Sequence, residues 1–121
     1  MGWLWVVIVY LALLAPSTVS AHAYLVKSIP ARRAILFKAP TRLQLWFNEK
    51  LEPRFSSLTV TDSSGNRVDL GDIQVGAEDP KQLSVEIKLL PPGIYTVEFR
   101  VLSVDGHVVK DQFSFTVRAR R

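Results

Sequence analysis

The stretch Ile94-Tyr95-Thr96-Val97-Glu98-Phe99-Arg100-Val101-Leu102-Ser103 alternates between apolar and polar side chains. Successive side chains of a β-strand point to opposite faces, so one face of this stretch carries its larger apolar residues. These are Tyr95, Val97, Phe99 and Val101, with Thr96, Glu98 and Arg100 on the other face. The pattern is typical of an antiparallel sheet with one face on a core and the other in water.

The same alternation recurs along the chain, with little sign of a helix. It predicts further strands at Ala23–Ser28, Thr41–Asn48, Phe55–Asp62, Arg67–Leu70, Gln82–Leu89 and Gln112–Arg118. The side chains expected to point inward are Leu43, Leu45, Phe47, Leu83, Val85, Ile87, Leu89, Phe113, Phe115 and Val117. Residues 31–40 and 71–81 are expected to be connections. Short, evenly spaced strands predict an all-β fold: a single antiparallel Greek-key barrel or sandwich, immunoglobulin-like.

Length and composition limit the class of protein. A chain of 121 residues is one domain at most, and without cysteine its stability must come from a packed core. The net charge of +4 lies entirely after residue 21, with basic residues mostly scattered among acidic ones. Because no arginine-plus-aromatic pattern appears, no nucleic-acid partner is predicted.

The first 21 residues are typical of a secretory leader. An apolar run from Trp3 to Leu14 is followed by Pro16, and Val19 and Ala21 fit the small-residue pattern of a cleavage site. We therefore predict a signal peptide at residues 1–21, a mature domain at 22–121 and a periplasmic location. The leader has no Lys or Arg near its start, so an uncleaved anchor is the alternative.

The chain has two histidines, His22 and His107, and these define the candidate site. In extended backbone, Asp105 and His107 would point to the same side of a strand, although Asp105-Gly106 is also a common hairpin-turn signal. Cleavage after Ala21 would give His22 a free amine beside its imidazole, which together form a chelate. The mature chain lacks the soft sulfur ligands that select Cu(I). We predict that His22, Asp105 and His107 meet and bind one Cu(II).

Several motifs resemble those of the CopC family of secreted copper-resistance proteins. They are His22-Ala23-Tyr24-Leu25, Ser28-Ile29-Pro30-Ala31, Leu45-Trp46-Phe47-Asn48-Glu49, Pro92-Gly93-Ile94-Tyr95 and Val101-Leu102-Ser103-Val104-Asp105-Gly106-His107. The resemblance implies a Greek-key β-barrel that binds Cu(II) outside the cytoplasm through an N-terminal histidine and an Asp-x-His motif. These roles would fall to His22, Asp105 and His107. Glu49 stands where some members have an acidic residue near the site, but a solvated strand-end carboxylate is an equal interpretation.

The resemblance also implies a partner, and the chain departs from the family pattern at several points, among them Arg32-Arg33, where members often have a smaller residue or glycine. The partner is a membrane copper transporter of the CopD type. Some members have a methionine-rich loop for Cu(I), and because this chain has no methionine after Met1, that second site is expected to be missing. Val108-Val109 follows His107 where the family commonly has proline and then glycine.

Two other functions compete with a copper carrier. Lytic polysaccharide monooxygenases use the same brace of an amine and two imidazoles, so a small copper monooxygenase is one alternative. A metal-free immunoglobulin-like binding module is the other. We predict no enzyme activity, no catalytic residue and no small-molecule substrate. Four aromatic residues are accordingly expected in the core rather than on a substrate platform: Trp46, Phe99, Phe113 and Phe115.

Overall fold

The computed structural model describes residues 23–120, which form two four-stranded sheets. The strands are β1 (Leu25–Ile29), β2 (Ile35–Leu36), β3 (Arg42–Phe47), β4 (Ser57–Thr61), β5 (Gln74–Val75), β6 (Gln82–Glu86), β7 (Gly93–Leu102) and β8 (Val108–Val117). One sheet has the order β1-β3-β6-β5 and the other β2-β8-β7-β4. The predicted all-β sandwich is confirmed.

The longest strand pair is the hairpin of β7 and β8. Ten residue pairs run in antiparallel register from Gly93 opposite Val117 to Leu102 opposite Val108. The inward residues of β7 are buried as its alternation predicts, and those of β8 join them in one core: Tyr95, Val97, Phe99, Val101, Phe113, Phe115 and Val117.

The core closes between the inner faces of the two sheets. Leu43, Leu45 and Phe47 of β3 are buried in the same cluster as the inward residues of β7. The Phe47 and Phe99 rings meet edge to face with centroids 5.5 Å apart, which joins one sheet to the other. Burial of these large apolar side chains stabilises the sandwich without any disulfide.

The turn between β7 and β8 is tight. The Ser103 amide donates to the His107 carbonyl over 2.9 Å, and the Gly106 amide donates to the Ser103 carbonyl over 2.9 Å. Gly106 has φ +93°, a left-handed conformation that side chains with a Cβ rarely adopt. The arrangement is that of a three-residue hairpin loop whose last position favours glycine.

Several sequence predictions about strands were wrong. Residues 31–40 contain β2, which pairs in parallel with β8, so the sheets are not wholly antiparallel. Residues 71–81 contain β5. Arg67–Leu70 forms only isolated bridges. A two-residue strand has no periodicity to detect, which explains why β2 and β5 escaped prediction.

Three apolar side chains also differ from the expectation. Phe55 lies in a 3-10 helix, Pro53–Phe55, and is exposed, because Pro53 favours a helical start there. Leu89 is 92% exposed, and Leu90 fills the core in its place because the chain leaves the sheet after Ile87. Trp46 lies half-buried on the outer face of β3, where the Lys27 ammonium sits 4.4 Å from its ring centre.

No helix within the described residues is long and apolar enough to cross a membrane.

The positive φ of Gly106 predicts how the turn tolerates substitution. We expect Gly106→Ala to lower the free energy of unfolding by about 1–2 kcal/mol, because a Cβ is strained in the left-handed region. Gly93→Ala is the matched control, since its added Cβ would make only ordinary contact, 3.6 Å from the Tyr95 hydroxyl, without positive φ. Urea unfolding of the mature chain measures both, and equal stability of the two variants would contradict the assigned turn.

Candidate metal centre

Asp105 and His107 lie together on the turn that joins β7 to β8. The Nδ1 atom of His107 is 3.2 Å from Oδ1 of Asp105, and their side chains are 37% and 44% exposed. The expectation of extended backbone here was wrong, since Val104 and Asp105 form a turn. The alternative interpretation of Asp105-Gly106 as a hairpin turn is confirmed, and it is this turn that brings the two side chains together.

Their separation suits two donors on one ion. Donors about 2.1 Å from a metal and at right angles to each other lie about 3 Å apart. The observed distance of 3.2 Å is close to that value, so a carboxylate oxygen and an imidazole nitrogen could bind one ion with little movement of the turn. Imidazole and carboxylate suit Cu(II) and Zn(II) rather than Cu(I).

The Asp105 carboxyl is held in its ionised form. Its pKa is lowered, chiefly because the Ser103 hydroxyl donates a hydrogen bond to Oδ1 and also because His107 lies beside it. An anionic oxygen is therefore present at neutral pH to offset part of the charge of a bound cation.

Ser103 is a site residue that the sequence analysis missed. It is 1% exposed, and its hydroxyl contacts both Asp105 and the backbone amide of His107. A signal was available, because Ser103 continues the inward alternation of Val101 and Phe99. A polar residue at a core position directly before a turn requires a hydrogen-bond partner, and here the partners belong to the candidate site.

The loop after β3 connects this turn to the start of the described chain. The Val104 amide donates to the Lys50 carbonyl over 2.8 Å, and Leu51 bridges to Ser103. Two residues earlier, the Asn48 side chain accepts a hydrogen bond of 2.7 Å from the Tyr24 amide. The N-terminal segment and the Asp105–His107 turn therefore contact the same short loop at one end of the sandwich.

The predicted site residues are only partly brought together by the described structure. Asp105 and His107 form a close pair, whereas His22 and the predicted leader 1–21 lie outside the described residues. Glu49 is half-buried in the connecting loop and is not one of the hydrogen-bond partners of the Asp105 side chain within residues 23–120. Among those residues, no group of three or more potential metal ligands is present.

Comparison with known proteins identifies the family. The family model described as CopC domain matches residues 25–118. Copper resistance protein C of Xanthomonas campestris pv. juglandis is 35% identical over 118 residues, which cover 93% of this chain and 92% of that protein. Copper transport protein CutJ of Bacillus subtilis is 32% identical over 114 residues, 93% of this chain, but the match spans only 21% of CutJ.

A solved structure agrees with this result. The crystal structure of CopC from Methylosinus trichosporium OB3b superposes with a TM-score of 0.76 at 34% identity, over 83% of this chain and 97% of that one. The sandwich, the family model and the relatives all lead to the same assignment. The chain belongs to the CopC family, whose members include proteins named for copper resistance and for copper transport.

Proposed function

We propose that the mature chain is a periplasmic Cu(II)-binding protein that carries or buffers copper. One Cu(II) is held by the amine and imidazole of His22, the imidazole of His107 and the carboxylate of Asp105. The observation that supports this most is the 3.2 Å contact between Asp105 and His107, on a turn that hydrogen-bonds to the same loop as the first described residues of the chain.

Chain connectivity supports His22 as the missing ligand. Tyr24 and Asn48 hydrogen-bond to each other in both directions, over 2.7 and 3.2 Å, so the chain start is anchored to the loop after β3. Asn48 is two residues before Lys50, and two residues of chain span at most about 7 Å. The Lys50 carbonyl in turn accepts a hydrogen bond from the Val104 amide of the turn. His22 precedes buried Ala23 directly, so a mature N-terminus at His22 would start close to the Asp105–His107 turn.

The donor set favours the oxidised ion. The mature chain contains no methionine and no cysteine, so no sulfur ligand is available for Cu(I). An amine, two imidazoles and a carboxylate suit the tetragonal N,O geometry of Cu(II). The lowered pKa of Asp105 keeps that ligand anionic, which further favours the more highly charged ion.

Copper transfer to a membrane copper transporter of the CopD type is the second part of the proposal. The chain aligns with only 21% of CutJ, a protein named for copper transport, so in that relative a similar segment is joined to a much longer polypeptide. An accessible site at one end of the sandwich suits delivery, because both side chains of the pair are partly exposed. Export and cleavage after Ala21 would release the domain into the periplasm, where it could reach such a transporter.

We also propose that the chain is a carrier rather than an enzyme. Two of its relatives are named for copper transport and copper resistance. Asp105 would occupy a coordination position that an oxygen-activating copper enzyme leaves open, and the core aromatic residues Phe99, Phe113 and Phe115 are buried away from any substrate.

If the amine of His22 is a ligand, Cu(II) affinity should depend strictly on which residue begins the protein. A protein that begins at His22 should bind one Cu(II) per chain, whereas a protein that begins at Thr18 should lose the amine ligand. We expect this extension and His107→Ala each to lower Cu(II) affinity by more than about 100-fold, since loss of an outer-shell partner alone costs roughly 10–100-fold.

A competition titration against a chromogenic chelator measures these affinities, and intact mass verifies each N-terminus. Glu98→Gln is the control, because Glu98 is exposed on the outer face of β7 and should leave affinity unchanged. Equal Cu(II) affinity of the extended and mature proteins would refute the chelate.

The nitrogen ligands predict a pH dependence. The amine and imidazoles must lose their protons to bind, and free groups titrate near about 7.7–8.0 and 6.5. Apparent Cu(II) affinity should therefore fall steadily as pH drops from 8 to 5, while the lowered pKa of Asp105 keeps the carboxylate ionised. His107→Ala should show a shallower slope in the same titration. An affinity that stays flat over this range in the unmodified protein would exclude both histidines as ligands.

Carrier and enzyme differ in their redox behaviour. With ascorbate and oxygen, the copper-loaded protein should produce much less hydrogen peroxide than the same concentration of free copper, because the sulfur-free site stabilises Cu(II). Polysaccharide incubated with it should yield no oxidised oligosaccharides by mass spectrometry. Oxidised products that disappear in His107→Ala would instead establish a monooxygenase.

A further inference from the structure

Ser103 is a buried polar residue whose hydroxyl connects the two described ligands of the proposed site. It lies at the end of β7, 1% exposed, with Leu51 opposite it in an isolated bridge. Its backbone amide donates to the His107 carbonyl, and its backbone carbonyl accepts from the Gly106 amide. The side chain therefore projects from a fixed position into a turn that carries exposed ligands.

The hydroxyl uses both its donor and its acceptor capacity. It donates to Oδ1 of Asp105, and it accepts a hydrogen bond of 3.0 Å from the backbone amide of His107. A hydroxyl has one proton and two lone pairs, so both bonds form at the same time. The bond to a carboxylate is charge-assisted and stronger than one between neutral groups.

These two bonds fix the ligands relative to each other. The bond to Asp105 restricts rotation of its carboxylate, and the bond to the His107 amide fixes the backbone that carries the imidazole. Without the hydroxyl, the buried space at Ser103 would hold no group able to orient either ligand, since its neighbours on the inward face of β7 are Val101 and Phe99. Through these two hydrogen bonds, the buried end of β7 restricts the motion of the exposed turn.

We infer that Ser103 is a positioning residue that sets the Cu(II) affinity of the site by holding Asp105 and His107 in binding geometry. The inference rests on the proposed function. Removal of the hydroxyl should lower Cu(II) affinity roughly 10- to 100-fold, the loss usual for outer-shell partners of metal ligands. It should also change the g and hyperfine values of the Cu(II) electron paramagnetic resonance spectrum, because the carboxylate would bind in a different orientation.

Ser56 offers a matched control on the same end of β7. Its hydroxyl donates to the Glu52 carbonyl over 2.7 Å and accepts from the Leu102 amide over 3.3 Å, so it also makes two hydrogen bonds. Within residues 23–120 the hydroxyl of Ser56 therefore bonds to Glu52 and Leu102 and not to Asp105 or His107. Ser56→Ala should therefore reduce stability much as Ser103→Ala does, but leave Cu(II) affinity and the resonance spectrum unchanged.

The experiment compares Cu(II) affinity, resonance spectra and thermal unfolding of mature wild type, Ser103→Ala, Ser103→Thr and Ser56→Ala. We expect Ser103→Thr, which keeps the hydroxyl, to retain most of the affinity that Ser103→Ala loses. We also expect the loss in Ser103→Ala to shrink severalfold in an Asp105→Asn background, since the serine acts partly through that carboxylate.

The outcomes separate the inference from the proposed function. If Ser103→Ala binds Cu(II) like wild type while His107→Ala does not, the site is correct and the role of Ser103 is wrong. The role of Ser103 is also wrong if Ser103→Thr loses as much Cu(II) affinity as Ser103→Ala. It is wrong as well if Ser56→Ala loses as much Cu(II) affinity as Ser103→Ala. A folded wild-type protein that binds no Cu(II) would overturn both proposals.

Discussion

The ten-pair register of β7 with β8 is the interaction on which the rest of the molecule depends. The inward face of this hairpin supplies the centre of the core. β2 pairs with β8 and β4 pairs with β7, which completes one sheet. The turn of the hairpin carries Asp105 and His107 at the end of two long strands. Loss of the register by one residue would turn Phe99 and Val101 to solvent and move the candidate ligands together with them.

The proposed metal site combines parts of the chain that are far apart in sequence. The turn after β7 and the residue before β1 both hydrogen-bond to the loop after β3, at one end of the sandwich. Within residues 23–120 no three potential metal ligands lie together, so the proposed site needs His22 in addition to Asp105 and His107. In the proposed site, metal affinity would depend on the fold, because the hydroxyl of Ser103 at the end of β7 contacts both Asp105 and the backbone amide of His107.

Much of the fold could be predicted from the sequence, because alternation reports directly which face of a strand is buried. It succeeded where strands are long, as for Tyr95, Val97 and Phe99, and failed where the chain leaves regular structure, as at Leu89 and Phe55. The pairing of Asp105 with His107 was predicted for the wrong reason, since a turn and not an extended strand brings them together. Ser103 escaped notice because a serine inside an apolar alternation is ambiguous until its hydrogen-bond partners are known.

The most direct test of the account is the number and kind of nitrogen atoms bound to copper in the mature protein. Pulsed electron paramagnetic resonance of the protein loaded with one equivalent of Cu(II), prepared with and without histidine that carries ¹⁵N only in its imidazole ring, distinguishes imidazole nitrogen from the amine nitrogen of His22. The account predicts two coordinated imidazoles, from His22 and His107, together with one nitrogen that is not part of an imidazole. A spectrum with a single imidazole, or with no amine nitrogen, would contradict it.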